Sequence, residues 1–195
     1  MKILRNSIII LFSPLIICVS LICFILIYIE DGSPVIFSQN RLGVNKKLFK
    51  ILKIRTMRNN TDQVGTHEVN KDMILVSGRI IRKLKLDEFL QLINVVKGDL
   101  NLIGPRPGLP NQTELKNARD KRKIFDIKPG ITGLAQVTGF DMQNPEELSK
   151  VDQVYATKKT LILDLKILVC TITKAYKTNL KDFIKQELRL INIDG

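Results

Sequence analysis

Asp87 and Glu88 are adjacent carboxylates in a segment that is otherwise basic, with Arg82, Lys83 and Lys85 just before them. On a 3.6-residue period, residues 79–96 place Ile81, Leu84, Leu92 and Val95 in one apolar stripe, with Glu88 in its middle. Lys83, Asp87, Gln91 and Asn94 form a separate polar face. A carboxylate within an apolar stripe loses hydration, so its pKa rises unless a cation compensates. This reading expects Glu88 to be the buried acid and Asp87 the open one, and two acids in different surroundings suit two chemical roles. The same spacing also fits a plain surface helix with a Lys83–Asp87 pair and a partly exposed Glu88. Arg106 stands between Pro105 and Pro107, which fix the local backbone at little entropic cost. A guanidinium held this way suits bidentate phosphate contact, and equally a surface loop.

The 195 residues allow one compact domain with an anchor, and the net charge of +12 admits nucleic acid, an anionic membrane or a phosphorylated substrate as partner. Aromatic residues are few and Trp is absent, which argues against a base-stacking platform and against nucleic acid. His67 is the only histidine, so histidine chemistry has little to draw on. Cys18, Cys23 and Cys170 lie in apolar stretches with no Cys-x-x-Cys pair and are read as reduced, buried residues.

Residues 7–29 carry no charge and, as a helix, would extend about 35 Å, enough to cross a bilayer core. Pro14, after Ser13, removes a backbone donor inside this run and predicts a kink. Basic residues flank the run on both sides: Lys2 and Arg5 before it, and Arg41, Lys46, Lys47, Lys50, Lys53, Arg55 and Arg58 after it. The positive-inside tendency would put both ends in the cytoplasm, which a helix bent at Ser13-Pro14 and returning to the same face satisfies. A kinked spanning helix satisfies the pattern as well. Beyond residues 30–34, short strands are expected at 35–37 and 48–54 around a turn at 42–45. A loop is expected at 59–72 and helices at 79–96, 113–125 and 161–172, with another starting at Pro145. A turn at 128–133 should lead into a strand at 134–137.

Several blocks, in order, resemble the bacterial sugar transferases, the monotopic phosphoglycosyl transferases. They are Ser33-Pro34-Val35-Ile36-Phe37-Ser38-Gln39-Asn40-Arg41-Leu42-Gly43; Phe49 with Lys53-Ile54-Arg55-Thr56-Met57; Leu86-Asp87-Glu88 with Gln91-Leu92-Ile93-Asn94-Val95; Gly98-Asp99 and Gly104-Pro105-Arg106-Pro107; Lys128-Pro129-Gly130-Ile131-Thr132-Gly133-Leu134-Ala135-Gln136-Val137; and Asp152, Tyr155 and Asp164-Leu165-Lys166. Ser13-Pro14 matches the helix-break signature of the family's anchor. The likeness covers roughly residues 12–172, and separated motifs in order are far more specific than one short pattern.

The resemblance implies a helix-rich α+β fold: an N-terminal re-entrant membrane helix, in-plane amphipathic helices and a small β-hairpin element. The expected organisation is an anchor over residues 1–30 broken at Ser13-Pro14, a catalytic domain over 31–177 and a charged tail over 178–195. The implied activity moves a sugar 1-phosphate from a UDP-sugar, of N-acetylhexosamine type, to undecaprenyl phosphate, releasing UMP. It would be the first membrane step of a surface glycan (capsule, O-antigen or glycoprotein glycan), on the cytoplasmic face of the bacterial inner membrane. By resemblance, Asp87 is the nucleophile and a Mg²⁺ neighbour, and Glu88 its acid/base partner. Arg55, Arg82, Arg106 and Lys128 are implied substrate contacts. Leu90 stands where the family often has Pro, Lys128 where Arg is frequent, and only twelve residues precede Ser13. The alternative is a non-catalytic basic module tethered to a membrane, binding anionic lipid or nucleic acid. The acid pair opposes it, since without a metal it would repel phosphate.

Overall fold

The computed structural model describes residues 2–59, 61 and 71–193. His67, both chain ends and most of the loop expected at 59–72 lie outside them. The chain divides into two compact units: Met1–Asn40 with Lys50–Gly98, and Arg41–Phe49 with Asp99–Gly195.

The first unit begins with helix α1, Lys2–Asp31, whose stretch Ile9–Asp31 is long and apolar enough to cross a membrane. Most of its large side chains are exposed, among them Leu11, Leu15, Ile22 and Ile29. Cys18 is exposed as well, so the expectation that all three cysteines are buried holds for Cys23 and Cys170 only. At Ser13-Pro14 the backbone stays helical, and α1 runs through Pro14 as one helix. The reason is local. Pro14 cannot donate to the carbonyl of Ile10, and the Ser13 hydroxyl donates to that same oxygen at 2.7 Å. The orphaned acceptor is satisfied from the preceding side chain, as a proline within an apolar helix requires.

Only the end of α1 has a protein core to join. Cys23 and Ile27 pack with Ile54, Leu75 and Ile81, and Val35, Leu86 and Leu90 lie against this cluster. Strands β1 (Ile36–Leu42) and β2 (Leu48–Ile54) form a two-stranded sheet; β2 is where it was expected, and β1 runs on to Leu42 past the expected 35–37. A link this short forces antiparallel pairing. The boundary between the units runs through this hairpin, its tip belonging to the second.

The helix expected at 79–96 is instead two helices, α2 (Val76–Lys83) and α3 (Gln91–Lys97), separated by a 3₁₀ turn at Leu86–Glu88. Lys85, at φ 57°, takes the left-handed conformation that ends α2. A 3.6-residue period drawn across such a break loses its phase. Ile81 and Val95 are buried as the stripe requires, but Leu84 is exposed, and Gln91 and Asn94 from the polar face are buried.

Gly78 lies where α2 meets the backbone of Thr56. A Cβ there would sit 2.3 Å from the Thr56 carbonyl oxygen. Helix propensity alone would favour Gly78→Ala by about 1 kcal/mol. The overlap reverses the sign, and we expect a net loss of roughly 1–3 kcal/mol, read as a lowered denaturation midpoint.

The second unit packs Leu115, Leu134, Leu148, Val151, Val154, Tyr155, Leu163, Ile167, Leu180 and Ile184 into one core. These come from α4 (Thr113–Lys121), α5 (Leu134–Thr138), α6 (Pro145–Lys158), α7 (Leu161–Thr173) and α8 (Lys177–Ile193). Two expectations change here. Residues 134–138 are a helix rather than a strand, because the strand, β4, is Gly130–Thr132, ending before Gly133. The stretch after residue 177 is not a featureless tail: Leu180 and Ile184, four apart on α8, are buried in the core. Strand β3 (Asn101–Ile103) pairs in parallel with β4, Asn101 opposite Gly130 and Ile103 opposite Thr132.

Candidate active site

Asp87 and Glu88 sit in the 3₁₀ turn between α2 and α3, whose N-terminal end carries no side-chain cap. Lys53, from β2, donates to Glu88 Oε1 at 2.9 Å, and both side chains are largely shielded. Glu88 is therefore ion-paired rather than stranded among apolar neighbours. Asp87 is the acid that its surroundings disfavour. Burial raises its pKa above the usual carboxylate value; Glu88 adds to the rise, while Lys53 and Arg82 oppose it. Both acids are partly buried, so the expected contrast of a buried Glu88 and an open Asp87 is not seen, because the turn rotates both away from their helical positions.

Arg82 is half-buried and its Nε donates to Thr56 Oγ1 at 2.7 Å. Burial lowers its pKa, and Asp87 opposes that shift. Arg55 is differently employed. Its Nη1 donates to Asp31 Oδ2 at 2.6 Å, and its Nη2 to the carbonyls of Gly32 at 2.7 Å and Asp31 at 3.1 Å. These contacts fasten the end of α1. Asn94 anchors α3 to β2: its side-chain amide donates to the Lys50 carbonyl at 2.8 Å and its oxygen accepts from the Leu52 amide at 3.2 Å. A buried asparagine here completes the hydrogen bonding of a strand edge.

Arg106 and Lys128 belong to the second unit. Their loops are locked backbone to backbone. A Cβ on Gly130 would lie 2.1 Å from the Gly104 nitrogen, and one on Gly133 would lie 2.1 Å from the Gly104 oxygen. The Gly130 amide donates to the Pro105 carbonyl at 2.9 Å, and the Gly104 amide to the Thr132 carbonyl at 2.9 Å. The carbonyl of Lys128 lies against Gly104, where a Cβ would approach it to 2.6 Å. The separated Gly-Pro-Arg-Pro and Lys-Pro-Gly blocks are therefore one structural element.

Two further arginines hold this element. Arg119 is 3% exposed; its Nε and Nη2 donate to Asp152 Oδ2 at 2.9 and 2.7 Å, and its Nη1 donates to the Arg106 carbonyl at 2.8 Å. Arg41, 7% exposed, donates from Nη1 to the Pro107 carbonyl at 3.2 Å. Burial, and then the like charge of Arg106, lower the Arg41 pKa to about 10. Two guanidinium groups that repel each other favour an anion in their neighbourhood.

Sequence reasoning did not single out Lys53, Arg41 or Arg119 as site residues, though each left a trace. Arg119 stands four residues after Leu115 and one after Ala118, on the helix face that is buried. Arg41 shares the two-residue alternation of β1 with buried Gln39. Among the described residues, no group of three or more His, Cys, Asp or Glu side chains gathers as a protein-only metal cage. Two adjacent carboxylates nevertheless fit Mg²⁺, which commonly takes one or two carboxylates and completes its shell with substrate phosphates and water.

A profile of the family described as bacterial sugar transferase matches residues 2–178. The chain belongs to that family. It is accordingly an enzyme, a phosphoglycosyl transferase, and the non-catalytic alternative falls. The transferase is 41% identical over 146 residues to an uncharacterized sugar transferase, EpsL, of Bacillus subtilis (strain 168), covering 75% of this chain and 72% of the relative. It is 35% identical over 181 residues to the UDP-N-acetylgalactosamine-undecaprenyl-phosphate N-acetylgalactosaminephosphotransferase of Aeromonas hydrophila, covering 89% of this chain and 41% of that protein. It is 33% identical over 178 residues to the UDP-glucose:undecaprenyl-phosphate glucose-1-phosphate transferase of Caulobacter vibrioides, covering 87% of this chain and 65% of that relative. The transferase thus spans less than half the length of the second of these.

Proposed function

We propose that this transferase moves a sugar 1-phosphate from a UDP-sugar to undecaprenyl phosphate through a phosphosugar carried on Asp87. The observation that carries the reading is the acid pair itself: a half-buried Asp87 beside a Glu88 that Lys53 holds in place. The Aeromonas hydrophila and Caulobacter vibrioides relatives, by name transferases from a UDP-sugar to undecaprenyl phosphate, support the donor and acceptor classes. An Asp87 oxygen attacks the β-phosphorus, an Asp–O–P bond forms, and the bond from that phosphorus to the UMP oxygen breaks. An oxygen of the lipid phosphate then attacks the same phosphorus, releasing the Asp87 carboxylate and leaving a lipid diphosphosugar. Burial that raises the Asp87 pKa also makes its carboxylate a stronger nucleophile once ionised. Glu88 is the acid/base partner, and Arg82, Arg106 and Lys128 are the phosphate contacts. Arg55, committed to Asp31, Gly32 and the end of α1, supports the site by position. Mg²⁺, held by Asp87 and the donor phosphates, would supply charge neutralisation.

The donor-only reaction tests this. With acceptor withheld, UMP should appear in an amount no greater than the enzyme, and intact-protein mass spectrometry should find a phosphosugar adduct mapping to Asp87. UMP release only in the presence of lipid would favour direct displacement and leave Asp87 as a metal ligand.

The sugar is proposed to be an N-acetylhexosamine, supported by the Gly108-Leu109-Pro110-Asn111-Gln112 continuation. There the Gln112 oxygen accepts from the Leu109 amide at 2.9 Å and fixes the turn. A screen of nucleotide sugars for UMP release reads it directly. The catalytic part is proposed to face the cytoplasm, supported by the larger basic cluster that follows α1, Arg41, Lys46, Lys47, Lys50, Lys53, Arg55 and Arg58, against Lys2 and Arg5 before it.

Arg106→Lys should lower turnover by roughly tenfold or more, the scale of one charge-assisted contact that a single ammonium cannot reproduce. Steady-state UMP release at saturating donor measures it; full activity would make Arg106 a structural loop residue.

A further inference from the structure

The last turn of α1 carries two acids, Glu30 and Asp31, and no basic residue. Negative charge at a helix C-terminus opposes the helix dipole, so helix formation alone does not favour these residues there. Both are instead engaged outside the helix. The Glu30 carboxylate accepts from the Val76 amide at 2.6 Å, the Ser77 amide at 2.9 Å and the Ser77 hydroxyl at 2.6 Å. It thereby caps the N-terminus of α2, where negative charge is favourable and where no residue of α2's own lead-in provides a side-chain cap. Asp31 accepts from Arg55 and from the Asn59 amide. Consecutive residues at the end of the membrane helix thus grip both segments that lead to the acid pair: α2, which runs to Arg82 and the Asp87 turn, and β2 with its continuation, which carries Lys53, Arg55 and Thr56.

We infer that Glu30 is a positioning residue that sets the height of the Asp87 turn above the bilayer, and so governs reaction with the lipid-borne acceptor. An ionised carboxylate does not enter hydrocarbon, so the end of α1 is held at the interface. The Glu30 cap transmits that depth to α2. A nucleotide sugar arrives from water and reaches the site at any height. The phosphate of a long polyprenyl chain is confined to the interface by its tail and reaches only a site at the matching height. The inference rests on the reading of Asp87 as the carrier of the phosphosugar.

The test uses the full-length transferase in lipid nanodiscs. Glu30→Gln and Glu30→Ala are compared with the parent in three assays: UMP release with donor alone, transfer to undecaprenyl phosphate in the bilayer, and transfer to a short-chain polyprenyl phosphate added from solution. Donor-only release and short-chain transfer should stay within about twofold, while transfer to the bilayer acceptor should fall about tenfold, the factor that loss of one charge-assisted hydrogen bond carries. Ser77→Ala, which removes one of the three contacts, should give a smaller loss with the same selectivity, and serves if the Glu30 variants do not fold. An equal fall in all three assays would make Glu30 a merely structural cap, and no fall in any would give it no role; either overturns the inference. Failure of the parent to release UMP without acceptor would overturn the covalent reading instead, while the comparison of the two acceptors would still report on Glu30.

Discussion

Asp87→Asn should abolish UMP release with donor alone, yet yield a protein that is more thermally stable at neutral pH. Loss of activity follows from removing the attacking oxygen's charge; the residual rate should be at least about a thousandfold lower, the scale seen when a nucleophile is deleted. The gain in stability follows from the direction of the pKa. Burial, reinforced by Glu88, raises the Asp87 pKa in the folded protein against the opposing pull of Lys53 and Arg82. A carboxyl group whose folded pKa lies above its unfolded value favours the native state when protonated. That contribution is present below the unfolded pKa and is lost as pH rises through the folded one. At neutral pH the ionised parent carries the full penalty and the amide carries none. Melting curves in metal-free buffer should therefore show Asp87→Asn above the parent at neutral pH, with the gap closing as both become neutral in acid. An Asp87→Asn protein that melts below the parent at neutral pH would mean that the nearby cations outweigh burial.

Arg119→Ala should be the most destabilising single change in the second unit. Arg119 and Asp152 are almost wholly buried and joined by two hydrogen bonds to one carboxylate oxygen, with a third running from Arg119 to the Arg106 carbonyl. Removing the guanidinium leaves a buried carboxylate without its cation, which costs roughly 3–5 kcal/mol. Replacing both partners by apolar residues of similar size, Arg119→Met with Asp152→Leu, removes both charges together and should recover most of that stability. It cannot recover the hydrogen bond to the Arg106 carbonyl. The double variant should therefore be folded and still impaired in turnover, because the backbone that presents Arg106 has lost its tether. Chemical denaturation and UMP release, measured on the single and double variants, separate the two effects. Full activity in the double variant would reduce the Arg119 pair to a stability element.

These two residues mark what was legible in the chain and what was not. The ordered motifs made the family and the reaction class readable, because each is a short contiguous string whose identity survives without knowing its neighbours in space. The apolar run of α1 was readable for the same reason, since bilayer crossing depends on length and composition along one segment. The environment of each acid was not. It depends on Lys85 entering the left-handed region and ending α2 two residues before Asp87, which shifts the phase of every side chain after it. Nor could Pro14 be weighed without knowing where the Ser13 hydroxyl points. Arg55 is a substrate contact by resemblance, and tertiary structure commits it to Asp31, more than twenty residues earlier. Arg119 and Asp152 lie 33 residues apart and become a pair only when α4 and α6 pack together. Local sequence determines which groups are present and in what order; long-range packing decides which charge meets which, and through that each group's hydration, protonation and aim.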